Sequence, residues 1–452
     1  MPISPLDTGR YGSPEMRKIF DEEYRLQMIL SVEAAVAYAH SKVGNIPKEA
    51  AEEIARKANT RYVKLERCKK IEETTGHDLM ARVLALTEVC EGEGKRWVHF
   101  GLTSADVEDT ATALQFKEAL NIIEFDLKKI EDVLLGLVKK FRDVLMVGRT
   151  HGQHMGVMTL GLKFAVWIRE IARHLERLQE IKNRALVGKI MGAIGTGAGL
   201  GPHAIDIQKI SLTKLGLKPA DMTTQIIQRD IHAELISLLA LIGCSLDKIA
   251  LEFRNLQRTE IMEVMEPFET KIQVGSSAMP SKRNPVKCER ICSLAKLLRG
   301  MIVPAFENMP LWHERDLTNS ANERFIFSTS FVILDEMLKR SIEVLNGLII
   351  YPENMKKNLE ITGGLILSEK IVNKLVEKGV NRQDAHELVR TCSMLALSKK
   401  LSFKEVLKGN ESIFKKISIE EIEESLDYNN YLGITKNLID KAVRRTEEEM
   451  KK

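Results

Sequence analysis

Residues 104–141 read SADVEDTATALQFKEALNIIEFDLKKIEDVLLGLVKKF. Apolar side chains recur at Leu120, Ile123, Leu127, Ile130, Leu134, Leu137 and Phe141, in strict steps of three and four. A strand would need a step of two, so the run marks one face of a long helix. Glycine is nearly absent from it, which leaves the helix uninterrupted.

Outward from that run the same periodicity returns. A second helix is expected from 159 to about 190, through Leu160, Phe164, Trp167, Ile171, Leu175 and Leu178. A third is expected from 230 to 266, through Ile231, Leu235, Leu238, Ile242, Ile249, Phe253 and Leu256. It should stop at Pro267, which lacks the N–H a helix interior needs. Two more, 285–301 and 319–350, complete an all-α elongated bundle over residues 101–351, because long amphipathic helices pack side by side. Smaller helical domains are expected at 1–100 and, beyond Pro352, at 352–452.

Composition agrees with that class. The 452 residues are 44% hydrophobic and 29% charged but only 5% aromatic, a globular balance poor in sheet formers. A net charge of +4 from 67 basic and 63 acidic residues, mixed along the chain, leaves no footprint for nucleic acid or membrane. Six scattered cysteines read as buried thiols in a reducing compartment. The first ten residues lack the apolar core of a signal peptide, and no uncharged apolar run reaches about 18 residues. A cytoplasmic protein is expected.

Three connecting segments, 92–103, 148–156 and 268–284, hold the unusual residues. A helix of about 38 residues is about 57 Å long. His99, before the first long helix, and His151, after it, should therefore lie at opposite ends of one subunit. If both are catalytic, different copies must supply them to one pocket, which predicts an obligate homo-oligomer with composite sites.

Residues 275–285, GSSAMPSKRNP, suit a polar loop between helices. Ser276 or Ser277 could act as a base if loop amides and a cation such as Lys282 stabilise its alkoxide. Lys282 and Asn284 can hold a carboxylate whose charge grows as the neighbouring carbon loses a proton. An ordinary solvent loop fits the composition equally well. In GRTHGQH, residues 148–154, a glycine-flanked His151 can approach a substrate closely, and histidine is the residue type suited to general-acid work at physiological pH. Metal binding by His151 and His154 is rejected, since the segment offers no acidic or cysteine ligand. In WVHFGLTSAD, residues 97–106, Thr103 and Ser104 can cap the long helix while its free amides receive a carboxylate. The glycine-rich GAIGTGAGLG, residues 192–201, follows a helix and lacks the dinucleotide spacing, so it reads as a flexible turn near the active site.

Residues 275–285 resemble the characteristic loop of the fumarase/aspartase superfamily. The resemblance implies that Ser276, the first of the serine pair, removes the proton. It also implies that Lys282 and Asn284 bind the dianionic intermediate, and that Glu289 supports a catalytic histidine. Within the superfamily the chain is most similar to the adenylosuccinate lyase family, in which the residue matching His151 protonates the leaving nitrogen and Thr103 and Ser104 receive the substrate's carboxylates. His99 precedes that pair as the family has it. Arg10 and Tyr11 resemble its phosphate-binding motif, and residues 75–78, TGHD, its His-Asp segment with His77 and Asp78. Gln225 resembles a substrate-binding glutamine, and Arg315, Ser320 and Arg324 match residues that grip the nucleotide. Guanidinium groups suit a phosphate because they offer paired donors. Ser281 departs from a frequent histidine, and Gly76 from an arginine common in bacterial members.

The resemblance spans Arg10 to about Glu369. It implies a cofactor-free homotetramer with shared active sites that eliminates fumarate from adenylosuccinate, giving AMP, and from the related succinylated aminoimidazole carboxamide ribotide. Rival expectations are 3-carboxy-cis,cis-muconate cycloisomerase or argininosuccinate lyase activity on the same scaffold, where Arg10, Tyr11, Arg315 and Arg324 would lack a phosphate. A structural protein that kept the fold and lost activity is a rival of another class.

Overall fold

The computed structural model describes residues 4–269 and 275–451. Helices dominate it. The four longest are Ser104–Lys140, Leu160–Ala185, Asp230–Leu256 and Ser320–Asn346, and Val286–Gly300 follows the polar loop. The described residues form only three two-stranded pairings. No helix among them is long and apolar enough to cross a membrane. All six cysteines are thiols, five of them buried.

The stripe that defines the first long helix is buried as its spacing demands, with Leu120, Ile123, Leu127, Ile130 and Leu134 all fully inaccessible. Full burial of one such side chain is worth about 1.5–3 kcal/mol. In the last turns the stripe shifts by one residue: Val138 is fully buried and Leu137 only partly. A straight helix turns every 3.6 residues and drifts by about 20° per heptad against a strict 3.5 repeat, so the inward face passes to the next position.

Two boundaries differ from expectation. The helix that begins at Asp230 ends at Leu256, eleven residues before Pro267. Beyond it, Arg258–Met262 turns, with the Met262 amide donating to the Arg258 carbonyl at 2.8 Å and Met262 left-handed at φ +43°. A left-handed residue cannot continue a helix. Val264–Met265 then pairs antiparallel with Ile349–Ile350, which also shortens the last long helix to Asn346.

The second difference is larger: residues 145–159 form an antiparallel hairpin of Leu145–Thr150 with Gln153–Thr159, where a connecting segment was expected. Thr150 pairs with Gln153, so the loop is the dipeptide His151-Gly152, at φ +53° and +75°. Two positive φ values make the mirror-image turn that matches strand twist. The register slips between Gly148 and Arg149, leaving Met155 as the extra residue of a bulge.

The chain divides into two compact units. The first comprises Met1–Lys128, His174–Asp247 and Arg290–Arg340. In its core, Val32 and Val36 of the Glu22–Lys42 helix meet Leu79 and Val83, the start of the first long helix at Val107 and Ala111, Ile190, and Leu200 of the glycine-rich stretch. The second comprises Lys129–Arg173, Lys248–Glu289 and Ser341–Lys452. There, Val147 of the hairpin packs with Leu359, Ile366 and Leu367, and the helices after Ser368 enclose a separate core around Leu375, Val389 and Phe403.

Candidate active site

In the first unit, packing brings several of the expected residues to one cavity of about 290 Å³, lined by Arg25, Arg82, Glu108, Arg315, Ser320 and Arg324 among others. Ser320 opens the Ser320–Asn346 helix, whose N-terminal amides favour an anion. Gln225 accepts from the Arg315 guanidinium at 3.1 Å and donates to the Ala193 carbonyl at 3.1 Å. Asp78 bridges Arg82 and Arg324, each at 3.0 Å. Burial opposes its ionisation, but the two guanidinium groups outweigh burial and hold its carboxyl below the usual range. Glu108 moves the other way, raised by burial and by the Asp78 charge. His77 caps the Asp78–Val89 helix, its Nδ1 accepting from the Met80 amide at 3.4 Å.

His99 adopts φ +62°, and Glu33 holds it twice, accepting from its amide at 3.2 Å and lying 2.7 Å from its Nδ1. Burial disfavours the protonated ring, yet the Glu33 carboxylate prevails and raises its pKa. Thr103 and Ser104 stand half-buried at the start of the long helix, with the Thr103 amide donating to Asp106 Oδ2 at 2.9 Å. The glycine-rich stretch is pinned there, since Asp106 also accepts from the Met191 and Gly192 amides at 2.9 and 3.1 Å. A Cβ on Gly101 would lie 2.7 Å from the Gly199 carbonyl oxygen, so only glycine permits this approach. Tyr11 receives the Arg290 guanidinium 5.8 Å from its ring centre, and the Gly12 and Ser13 amides donate to Glu336 and Asp335 at 3.2 and 2.5 Å. Arg10 is exposed. Neither Arg10 nor Tyr11 lines the cavity of Arg315 and Ser320.

In the second unit the polar loop closes on itself. The Ser276 hydroxyl oxygen accepts from the Ala278 and Met279 amides, both at 3.2 Å. Those donors are the kind that stabilise an alkoxide. Ser277 is exposed. Asn284 spans the loop by donating to the Gly275 carbonyl at 2.9 Å. Ser281, Lys282, Asn284 and Glu289 line a cavity of about 710 Å³ with Arg254, Arg258 and Met262. His151 projects from the hairpin turn, exposed. His154 on the adjoining strand is lowered below the usual imidazole range by burial and by the Arg149 charge. The described residues contain no cluster of three or more His, Cys, Asp or Glu that could hold a metal.

Sequence reasoning does not single out Glu33, Arg149, Glu263 or Arg290, all of which touch these segments. Glu33 alone left a signal, a carboxylate flanked by Val32 and Ala34 inside an apolar helix, where an unpaired charge is costly.

A family model described as "Lyase" matches residues 9–300, and one described as "Adenylosuccinate lyase C-terminus" matches 364–442. The chain is 53% identical to the adenylosuccinate lyase of Pyrococcus abyssi over 99% of both chains, and 52% identical to that of Pyrococcus horikoshii over the same shares. Among solved structures, 3-carboxy-cis,cis-muconate lactonizing enzyme from Pseudomonas putida superposes with a TM-score of 0.90 at 31% identity, over 99% of this chain and 100% of that one. The charged cavity, the closed serine loop and this full-length similarity lead to one conclusion: the chain belongs to the adenylosuccinate lyases of the fumarase/aspartase superfamily.

Proposed function

We propose that this chain eliminates fumarate from adenylosuccinate, releasing AMP, and cleaves the succinylated aminoimidazole carboxamide ribotide in the same way. Ser276 takes the proton from the carbon beside a carboxylate. The electron pair left on that carbon forms the double bond of fumarate as the carbon–nitrogen bond breaks, and the departing nitrogen takes a proton from His151. Lys282, Asn284 and the amides at Thr103 and Ser104 hold the dianion between those steps, with Glu289 supporting a histidine. His77 and His99 orient the substrate. Arg10, Tyr11, Asp78, Gln225, Arg315, Ser320 and Arg324 bind the nucleotide.

The observation that carries this reading is the pair of amides at the Ser276 oxygen, because a serine can serve as a base only where its alkoxide is stabilised. The guanidinium groups of Arg25, Arg82, Arg315 and Arg324 favour a phosphorylated substrate over a muconate or argininosuccinate. The 37-residue helix between His99 and the hairpin is about 55 Å long, which supports sites that draw on several copies, in this reading those of a homotetramer. The test is a spectrophotometric adenylosuccinate cleavage assay on the purified protein with Ser276→Ala and His151→Ala alongside. Turnover should fall by roughly 10²–10⁴-fold in each. Near-parental turnover in either variant, with its fold intact, refutes that residue's role.

A further inference from the structure

One buried carboxylate grips the hairpin next to His151. Glu263 is fully inaccessible and receives both terminal nitrogens of Arg149, at 3.0 and 2.7 Å, and the Asn358 amide at 2.8 Å. Its backbone is equally fixed: the amide donates to the Leu256 carbonyl at 2.9 Å, and the carbonyl accepts from Tyr351 at 3.0 Å. The preceding residue, Met262, is left-handed, and its carbonyl accepts from Asn354 at 2.7 Å.

Arg149 lies at the register slip of the hairpin, two residues before His151. Two parallel bonds fix the plane of a guanidinium as well as its place. The His151 side chain is exposed, so the backbone that carries it, and above all the strand that leads into the turn, sets the point from which the ring reaches out. Three residues after Glu263, the inaccessible Glu266 accepts from the Lys287 and Cys288 amides at 3.1 and 3.0 Å. That caps the Val286–Gly300 helix, which carries Glu289 and follows the Ser276 loop. The segment 263–266 thus anchors the His151 turn through one carboxylate and the end of the serine loop through another.

We infer that Glu263 is a positioning residue for His151, acting through Arg149 to aim the hairpin turn. The inference rests on the reading of His151 as the acid. An apolar pair would tie the hairpin to residue 263 as firmly, but it would not fix the direction of the strand that leads into His151. A misplacement of about 1 Å at an acid is enough to cost about 10²-fold in rate.

The test uses the full-length enzyme with Arg149→Lys, which keeps the charge but loses the fork, and Glu263→Gln, which keeps the shape but loses the charge. Adenylosuccinate turnover and amide exchange across residues 145–159 are read in each, with His151→Ala as reference. The expected result is kcat lower by about 10–100-fold with KM within about twofold, as for an interaction made in the transition state. Exchange at residues 150–153 should be faster, while the Val286–Gly300 helix exchanges as before in Arg149→Lys. If Glu263→Gln does not fold, Arg149→Lys decides alone. Unchanged exchange with unchanged kcat overturns the inference, and so does faster exchange with unchanged kcat. If His151→Ala also turns over normally in that series, the error lies in the assignment of the acid and not in the anchoring of the hairpin.

Discussion

The Lys189 ammonium stands 2.6 Å from the Asp106 carboxylate, and neither side chain has exposed surface. The same carboxylate accepts from the Thr103 amide, and Lys189 also donates to the Gly192 carbonyl at 3.0 Å. One buried pair therefore joins the proposed carboxylate-binding helix start to the glycine-rich stretch. Lys189→Met leaves the Asp106 charge buried with backbone amides but no cation, and breaking a buried pair typically costs about 3–5 kcal/mol. Urea unfolding should show that loss, and Lys189→Met combined with Asp106→Asn should regain part of it. A Lys189→Met midpoint equal to the parent's would show that the pair is not what holds the junction.

Gly275 owes its identity to its neighbour across the loop. A Cβ there would lie 2.0 Å from the Lys282 carbonyl oxygen, and backbone cannot yield as a flexible side chain can. Gly275→Ala must therefore open the loop that places Ser276, Lys282 and Asn284. The loop is partly exposed and contributes little core, so the thermal midpoint should move by no more than a few degrees. Turnover should fall by about 10²-fold, as expected when reacting groups are displaced by about 1 Å. Parental kinetics in a folded Gly275→Ala would mean that loop closure is irrelevant to the reaction.

The surroundings of His232 predict that the first unit loses stability in acid. It packs edge-on against Phe116 and Phe327, at 5.7 and 5.2 Å, beside the buried Arg229–Asp109 pair. Burial, reinforced by the Arg229 charge, lowers its pKa to about 3. An unfolded imidazole takes its proton near pH 6.5. Between those values the unfolded chain binds the extra proton, so stability falls as pH drops from about 6.5 towards 3. His232→Leu removes that demand while giving up the ring contacts. Its thermal midpoint should lie below the parent's at pH 7, and the gap should narrow by about pH 4.5. A gap that stays constant across that range excludes His232 as the source.

The long helices were legible because apolar spacing is a local property, whereas the drift from Leu137 to Val138 and the stops at Leu256 and Asn346 needed three dimensions. The hairpin left a fainter trace. Leu145, Val147 and Val157 alternate on either side of His151-Gly152, but glycines at 148, 152 and 156 read as loop, and a histidine is an uncommon first residue for such a turn. The anchoring charges could not be read at all. Arg149, Lys189, Glu263 and Glu266 look like surface residues until their partners, 83 positions away for Lys189 and 114 for Arg149, arrive to satisfy them. The catalytic segments stood out for the opposite reason: serine, glycine and proline gather where helices stop, and that density is visible in one dimension.

His151 offers a way to separate chemistry from turn geometry. Its φ of +53° lies where most residues are strained, at a cost of about 1–2 kcal/mol, whereas asparagine and glycine adopt that conformation readily. A sequence optimised for the hairpin alone would place asparagine there, so the histidine is held against the turn's own preference. His151→Asn and His151→Gly should therefore melt no earlier than the parent, because both suit the turn. Both should nonetheless lose about 10²–10⁴-fold in adenylosuccinate turnover, since neither can pass a proton near neutral pH. Thermal melts and kcat measured on the same preparations decide the matter. If His151→Asn melts early, the ring is supporting the fold; if it turns over like the parent, the proton reaches the leaving nitrogen from another group.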